Sequence, residues 1–229
     1  MINDLGWYSS MILLIPAFLF ASYAQMRVSS NFNRYSKVAN RRNITGAEAA
    51  RRMLDANGLS HVRINLINGK LTDNYNPGTQ IISLSQDVYH GSSIAAIGVA
   101  CHECGHAVQH AEGYSPLKFR NIIIPVANFG SSLAIPLFVI GLILQIEGLE
   151  FLGILFFSFA VIFQAATLPV EFNASRRALV QMKDLNLVVD DEEKGVKKVL
   201  GAAAMTYVAA LLVSLMQLVR LIALSRSRR

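Results

Sequence analysis

The stretch VACHECGHAVQH, residues 99–110, decides the fold and the chemistry expected of this chain. It holds an H-E-x-x-H pattern among small apolar residues, between signals that start and stop a helix. At about 100° per residue, His102 and His106 project about 40° apart from one helical face. Both imidazoles can then bind one tetrahedral Zn²⁺ ion. Glu103 projects beside them, where its carboxylate can take a proton from water that the zinc activates.

Two cysteines in the same stretch allow a second hypothesis, a thiol redox pair. Cys101 and Cys104 form a C-x-x-C pattern, but such pairs normally open a helix that follows a strand. Here both cysteines are expected well inside the helix, and Cys104 lies about 200° around it from His102, away from the metal. The favoured interpretation is that the cysteines are small buried residues that pack the helix.

A catalytic zinc ion needs a third protein ligand. One class of zinc peptidase supplies a histidine six residues after the second ligand, with a glycine midway. Glu112 and Gln109 occupy those two positions here, which excludes that class. His110 shares the helical face but lies too far along the axis for the same ion, so it is expected at the rim of the site.

Long uncharged runs indicate a membrane protein. Of the 229 residues, 53% are hydrophobic and only 16% are charged, against about 25% charged in average soluble domains. Four runs approach or exceed the length that crosses a hydrocarbon core of about 30 Å: residues 7–25, 122–146, 151–168 and 201–224. The first is interpreted as a retained signal anchor, because no basic segment precedes it. The second and third form a hairpin. The fourth contains one charge, Arg220, and is also expected to cross the membrane, with a helix lying against the catalytic domain as the alternative.

The hairpin explains how a distant residue reaches the metal. Two antiparallel spans return the chain to the side of the membrane that it left. Glu171, just beyond the second of them, therefore comes back to the side of the H-E-x-x-H helix. One span or three would leave it on the opposite side. Glu171 is the predicted third ligand, with a plain interfacial glutamate as the alternative.

Lysine and arginine residues set the expected orientation. The first run is followed by Arg27, Arg34, Lys37, Arg41 and Arg42, and none of these residue types precedes it. The catalytic region is therefore expected on the cytoplasmic face of a cell membrane, where both cysteines stay reduced. The basic residues that give the chain its net charge of +6 lie mainly beside the spans. Membrane topology and attraction to anionic lipid headgroups account for that position. The lipid bilayer is thus an expected partner, and nucleic acid is not.

The polar region after the first run begins with a predicted helix. Thr45 and Glu48 form a capping box, and Gly58 is a natural stop. These signals predict a helix over residues 46–57.

A small sheet and the H-E-x-x-H helix are predicted next. Residues 61–85 alternate apolar and polar side chains around NG and NPG turns, which predicts two or three antiparallel strands. Ser92 or Ser93 then caps the H-E-x-x-H helix, which is expected to run to about Glu112, with Gly113 as its stop.

These segments define the predicted fold class and organisation. The fold class is an α+β membrane protein, mainly helical, with transmembrane helices and a small zincin-like catalytic domain that contains a short antiparallel sheet. The expected parts are a transmembrane helix at 7–25, a cytoplasmic catalytic region at 26–120, a transmembrane hairpin at 121–169, a cytoplasmic segment with the third ligand at 170–200, and a fourth hydrophobic helix at 201–224.

Three segments, HECGHAVQHAEGY, QDVYHGSSIAAIGVA and EFNASRRAL, together resemble the YugP-type neutral zinc metallopeptidases of bacterial membranes. More distantly, the order of H-E-x-x-H, hairpin and glutamate resembles the HtpX and prenyl-protein endopeptidase group. The closer resemblance spans nearly the whole chain. It implies a gluzincin-like site in which His102, His106 and Glu171 bind zinc and Glu103 is the catalytic base.

One position departs from the HtpX-like pattern. Those proteins have an aspartate four residues after the third ligand, where this chain has Ser175. A hydroxyl can hydrogen-bond a ligand histidine but lends it no carboxylate charge. Asn173 is expected to face elsewhere, so the group that orients each histidine stays open.

The expected function is a membrane-embedded zinc metalloendopeptidase that cleaves peptides or membrane proteins, with Zn²⁺ as cofactor. His90, shortly before the helix, is the candidate oxyanion donor. Residues 79–85 are expected to pair with an extended substrate as an added strand. The alternative is a catalytically silent zinc-binding membrane scaffold or chaperone adaptor. An intact Glu103 argues against it, because a structural site does not need that base.

Overall fold

The computed structural model describes residues 11–226, and it confirms a mainly helical protein with one small sheet. The elements in chain order are α1 (Ile15–Tyr35), α2 (Gly46–Ala56), β1 (Arg63–Ile67), β2 (Asn74–Asn76), β3 (Ile81–Ser85), α3 (Gln86–Tyr89), α4 (Ile94–Ala111), α5 (Ser115–Leu144), α6 (Glu147–Asp184) and α7 (Asp190–Arg226). The described residues group into two compact units. The sheet unit comprises Gln25–Leu117 and Pro169–Met205, and the apolar unit comprises residues 11–24, Lys118–Leu168 and residues 206–226.

Two predicted helices of the sheet unit are confirmed together with their caps. At the start of α2, the Thr45 hydroxyl accepts from the Glu48 amide at 3.1 Å, and the Glu48 carboxylate accepts from the Thr45 amide at 2.7 Å. At the start of α4, the Ser93 hydroxyl accepts from the Ala96 amide at 3.1 Å. Gly113 follows α4 with φ of +66°, a backbone conformation that glycine adopts without strain.

The sheet is mixed, so the prediction of an antiparallel sheet is wrong in part. β3 lies in the middle, parallel to β1 and antiparallel to β2. The NG sequence begins a loop over residues 68–73 instead of a tight hairpin turn. That loop connects β1 to β2, which lie on opposite sides of β3 and do not pair with each other. Only the NPG turn joins two strands that pair, β2 and β3. Since both edges of β3 are occupied, residues 79–85 do not offer a free edge to a substrate.

The core of the sheet unit lies between α2, the sheet and α4. Its largest fully buried apolar side chains include Leu54, Ile82, Leu84, Ile97 and Met182. Most of α4 is buried, because its many Ala, Gly and Cys residues let neighbouring elements approach closely. The H-E-x-x-H segment therefore lies inside the packed core and not on a surface helix.

Three helices that contribute to the apolar unit, α5, α6 and α7, are each long and apolar enough to cross a membrane. Two glycines bring α5 and α6 together in a hairpin. A Cβ atom on Gly153 would lie 2.7 Å from the carbonyl oxygen of Ala134, and one on Gly130 would lie 3.0 Å from that of Phe156. Small residues of this kind are enriched where membrane helices pack.

The ends of the chain bear on the first and fourth predicted runs. Residues 7–10 of the first run and residues 227–229 lie outside the described residues, so the first span stays a prediction. The last turns of α7 pack against the end of α5 through a cluster of Phe138, Leu142, Leu221 and Leu224. The fourth run therefore packs against the predicted hairpin over this part of its length.

Candidate metal centre

Helix α4 presents two histidines from one face. His102 and His106 lie one turn apart, with their ring centroids 4.8 Å apart and their planes nearly perpendicular. The His102 side chain keeps 12% of its surface exposed and the His106 side chain 11%. The two imidazoles therefore lie close together in a largely buried position, and their proximity is what the helical periodicity predicts.

Glu171 of α6 faces both histidines. Its Oε2 atom lies 3.2 Å from Nε2 of His102 and 3.5 Å from Nε2 of His106. The close approach of α4 and α6 depends on Gly105, because a Cβ atom there would lie 2.6 Å from the carbonyl oxygen of Ala174. The glycine inside the H-E-x-x-H pattern therefore gives α6 the room to bring its carboxylate to the histidines.

These three side chains could hold a metal ion. Their ligand atoms lie within 4.8 Å of one another. With bonds of about 2.0–2.15 Å, ligand atoms around tetrahedral zinc are about 3.3–3.5 Å apart, close to the two distances from Glu171. Two nitrogens and one carboxylate oxygen are also the donor types that zinc accepts. His102, His106 and Glu171 are called the metal trio below.

Each histidine is held at its other ring nitrogen. Nδ1 of His102 lies 3.1 Å from the Ser175 hydroxyl, and Nδ1 of His106 lies 3.1 Å from Oε1 of Gln109. In both rings this leaves Nε2 directed at Glu171. Ser175 therefore contacts His102, a pairing that the sequence analysis left open.

Gln109 is a residue that the sequence reasoning missed. It was noted only because it excludes one peptidase class, although its position three residues after His106 places it on the neighbouring helical surface. Asn173 also has a part in the centre, since its Oδ1 atom accepts from Gln109 Nε2 at 2.9 Å and from Arg177 Nε at 2.7 Å.

Glu103 lies buried beside the metal trio, with 8% of its surface exposed. Burial raises the pKa of its carboxyl, whereas His102 and His106 act in the opposite direction. The net change is upward. A carboxyl with a raised pKa is suited to accept and return a proton near neutral pH.

His110 and His90 lie apart from the metal trio. Nδ1 of His110 is 2.8 Å from the Tyr75 hydroxyl of β2, so His110 contacts the sheet. His90 follows α3 and packs edge-on against Tyr89. It lines a cavity of about 680 Å³ with Lys37, Asp87 and others, and none of the metal trio is among the lining residues.

The cysteines are buried inside the fold. Cys101 and Cys104 both have 0% of their surface exposed, and the Cys104 thiol donates to the carbonyl of Ala50 at 3.5 Å. Burial raises the pKa of Cys101 to about 12 and that of Cys104 well above its usual value. Since the thiolate is the reactive form, these features favour a packing role over a redox role.

The chain is similar to known proteins over most of its length. The chain belongs to the family described as "putative neutral zinc metallopeptidase", which it matches over residues 10–226. The resemblance inferred from its motifs is thereby confirmed. The chain is 51% identical over 210 residues to the "Putative membrane protease YugP" of Bacillus subtilis (strain 168), an alignment that covers 92% of this chain and 93% of that protein. No solved structure shows significant similarity to it.

Proposed function

We propose that this chain is a membrane-embedded zinc metalloendopeptidase that hydrolyses peptide bonds at the cytoplasmic face of the membrane. One observation supports this most strongly: the Nε2 atoms of His102 and His106 both face Oε2 of Glu171, beside a buried Glu103. The family to which the chain belongs and its similarity to a protein named a membrane protease favour the same class of reaction.

The metal trio would hold the zinc ion. Two histidines and one glutamate are a ligand set of catalytic zinc sites, which keep a further position open. Zinc bound there would polarise the scissile carbonyl and lower the pKa of a water molecule toward about 7.

Glu103 would serve first as general base and then as general acid. It accepts a proton from the attacking water while the water oxygen bonds to the carbonyl carbon. It then donates that proton to the amide nitrogen as the C–N bond breaks, so that an amine leaves. The raised pKa of Glu103 favours the first transfer, because a weaker acid has the stronger conjugate base.

The edge of β2 is the proposed binding place for an extended substrate. Among residues 11–226, β2 pairs only with β3, so its outer edge can add a peptide strand through main-chain hydrogen bonds. Tyr75 of β2 reaches His110, one turn beyond His106 on α4. A peptide on this edge would run near the helix that carries the ligands.

Two residues are candidates for the donor to the carbonyl oxygen of the substrate. His90 is the donor proposed from the sequence, although it lines a cavity apart from the metal trio. The Tyr75 hydroxyl is the second candidate. Tyr75 lies on β2, the strand proposed to bind the substrate, and its hydrogen bond to His110 orients the hydroxyl.

The alternative function is a silent zinc-binding scaffold in the membrane. A scaffold needs the metal trio but has no use for a buried carboxyl beside it, and burying such a group is costly unless it has a role. The burial of Glu103 therefore favours an enzyme. The basic residues after the first apolar run favour the cytoplasmic face.

Zinc binding and hydrolysis are to be measured separately on the full chain in detergent. Glu103→Gln is expected to keep one zinc per chain and to lose about 10²- to 10⁴-fold in the hydrolysis of a quenched-fluorescence peptide library. Glu171→Ala is expected to lose zinc in a chelator competition. Glu193→Gln is the matched control, since this carboxylate pairs with Lys197 of its own helix at 2.6 Å and the variant should leave both properties unchanged.

Three outcomes would contradict the proposal in different ways. Full activity in Glu103→Gln would remove the catalytic base. Unchanged zinc affinity in Glu171→Ala would remove the third ligand. A wild-type protein that binds zinc but hydrolyses the library no faster than Glu103→Gln would favour the scaffold.

A further inference from the structure

Gln109 is a polar side chain with 0% of its surface exposed. Its amide nitrogen donates to the carbonyl oxygen of Val170 at 2.8 Å and to Oδ1 of Asn173 at 2.9 Å. Its amide oxygen lies 3.1 Å from Nδ1 of His106. A buried primary amide has two protons and one oxygen to satisfy, and here both protons and the oxygen have partners.

The direction of each of these hydrogen bonds is fixed by a group that can act in only one way. The carbonyl of Val170 accepts and cannot donate, so the amide nitrogen of Gln109 must face it. The Arg177 guanidinium donates and cannot accept, so the atom of Asn173 that it contacts at 2.7 Å must be the oxygen. The Gln109 amide cannot be reversed without placing two oxygens against each other at Val170 and at Asn173.

The orientation of the Gln109 amide determines which ring nitrogen of His106 carries a proton. Since the Gln109 oxygen can only accept, Nδ1 of His106 must carry a proton. A neutral imidazole with its proton on Nδ1 has its free electron pair on Nε2, the atom that faces Glu171. We propose that Gln109 is a positioning residue that holds His106 in the Nδ1-protonated tautomer and so keeps Nε2 available to the metal ion. This inference rests on the proposed metal centre.

His102 provides a comparison within the same site. Its Nδ1 atom contacts the Ser175 hydroxyl at 3.1 Å, and a hydroxyl can donate or accept. Ser175 therefore orients the ring without dictating its tautomer. Gln109 and Ser175 hold equivalent ring nitrogens, but only Gln109 imposes a direction.

The tautomer of His106 can be read directly from the wild-type protein. The zinc-free full chain, labelled with ¹⁵N at histidine, is to be studied in detergent by long-range ¹⁵N–¹H NMR at a pH where the ring is neutral, with His106→Asn used to assign the signal. The expected result is a proton on Nδ1 of His106 and none on Nε2. A proton on Nε2, with Nδ1 unprotonated, would overturn the inference without any need for a Gln109 variant.

Variants then test whether Gln109 is responsible. Gln109→Met has a similar size but no acceptor, and it is expected to weaken zinc binding about 10- to 100-fold, as the loss of a partner behind a ligand histidine typically does. In the zinc-free form of this variant, the single proton of a neutral His106 ring is expected to be shared between Nδ1 and Nε2, because no acceptor then selects Nδ1. Ser175→Ala is the matched control, with a smaller loss than Gln109→Met.

These measurements separate this inference from the proposed function. A wild-type chain that binds no zinc would remove the metal centre itself. If the wild type binds zinc and Gln109→Met binds it equally tightly, or Gln109→Met keeps the proton of zinc-free His106 on Nδ1 alone, the positioning role of Gln109 is wrong while the metal centre stands. Thermal unfolding of the zinc-free proteins identifies any variant that is misfolded, and the wild-type NMR result then decides.

Discussion

Replacing Gly105 by alanine should disrupt the proposed metal centre without altering the metal trio or Glu103. The added Cβ atom would lie 2.6 Å from the carbonyl oxygen of Ala174 and 3.1 Å from its Cα and carbonyl carbon atoms. All three contacts are with the backbone of α6, so no side chain can rotate out of the way. Either α4 and α6 must separate or one of them must bend.

The size of the effect follows from these distances. A carbon to carbonyl-oxygen contact needs about 3.3 Å, so the helices must separate by about 0.7 Å at this point. The distances of 3.2 and 3.5 Å from Glu171 to the histidines would then lengthen toward about 4 Å, beyond the spacing of about 3.3–3.5 Å around tetrahedral zinc. We expect zinc affinity to fall about 10- to 100-fold, as for a disturbed ligand shell, and stability to fall by about 1–3 kcal/mol, as for an overpacked core.

Gly201→Ala is the matched control for this substitution. Gly201 lies on the exposed face of α7, and a Cβ atom there would have nothing within 4 Å. Alanine is the better helix former by about 1 kcal/mol, so this variant should be as stable as the wild type or slightly more so, with unchanged zinc affinity. The assay is chelator competition for zinc, with thermal unfolding of the same samples in detergent. Wild-type zinc affinity and stability in Gly105→Ala would refute the claim that this glycine sets the approach of α6.

Three further predictions concern other parts of the sheet unit. Cys104→Ala should keep zinc binding and hydrolysis and lose about 1 kcal/mol of stability through a small cavity. In the wild type, a maleimide should label Cys101 and Cys104 only after unfolding. Rapid labelling of the folded protein would instead support the redox hypothesis. Thr45→Ala should lower the free energy of unfolding by about 1 kcal/mol, whereas Thr45→Ser keeps the capping hydroxyl and should lose much less. If His90 is the oxyanion donor, His90→Ala should lower kcat about 10²- to 10³-fold with zinc content unchanged. An unchanged kcat in His90→Ala together with a lowered kcat in Tyr75→Phe would assign that role to Tyr75.

Local signals predicted the helices of the sheet unit well. The caps at Thr45 and Ser93 act within one turn of the residues that they satisfy, so a short window of sequence contains all the information that defines them. The proximity of His102 and His106 follows from helical geometry alone. Glu171 needed one non-local argument, the return of the chain through two apolar runs, and α6 brings it to the histidines at 3.2 and 3.5 Å.

The order of strands could not be read in the same way. Alternating side chains show which residues share a face, but they do not show which strands are neighbours. The NG sequence favoured a hairpin between β1 and β2, whereas the chain pairs β1 with β3 in parallel. Gln109 was missed for a related reason, because its partners Val170 and Asn173 are more than 60 residues away and become neighbours only when α4 and α6 pack.

The metal centre is built where a short segment of α6 meets α4, and this explains why its parts depend on one another. Residues 170–175 of α6 contain Glu171, which faces both histidines, and Ser175, which contacts Nδ1 of His102. The same segment contains Val170 and Asn173, which accept hydrogen bonds from Gln109, the partner of His106. Ala174 of the same segment contacts Gly105. Because one helix crossing provides the proposed third ligand, the partner of His102 and the acceptors that hold Gln109, zinc binding and the packing of α6 on α4 should stabilise each other. The H-E-x-x-H pattern alone supplies two of the proposed ligands and the proposed base, and the proposed site is complete only through that crossing.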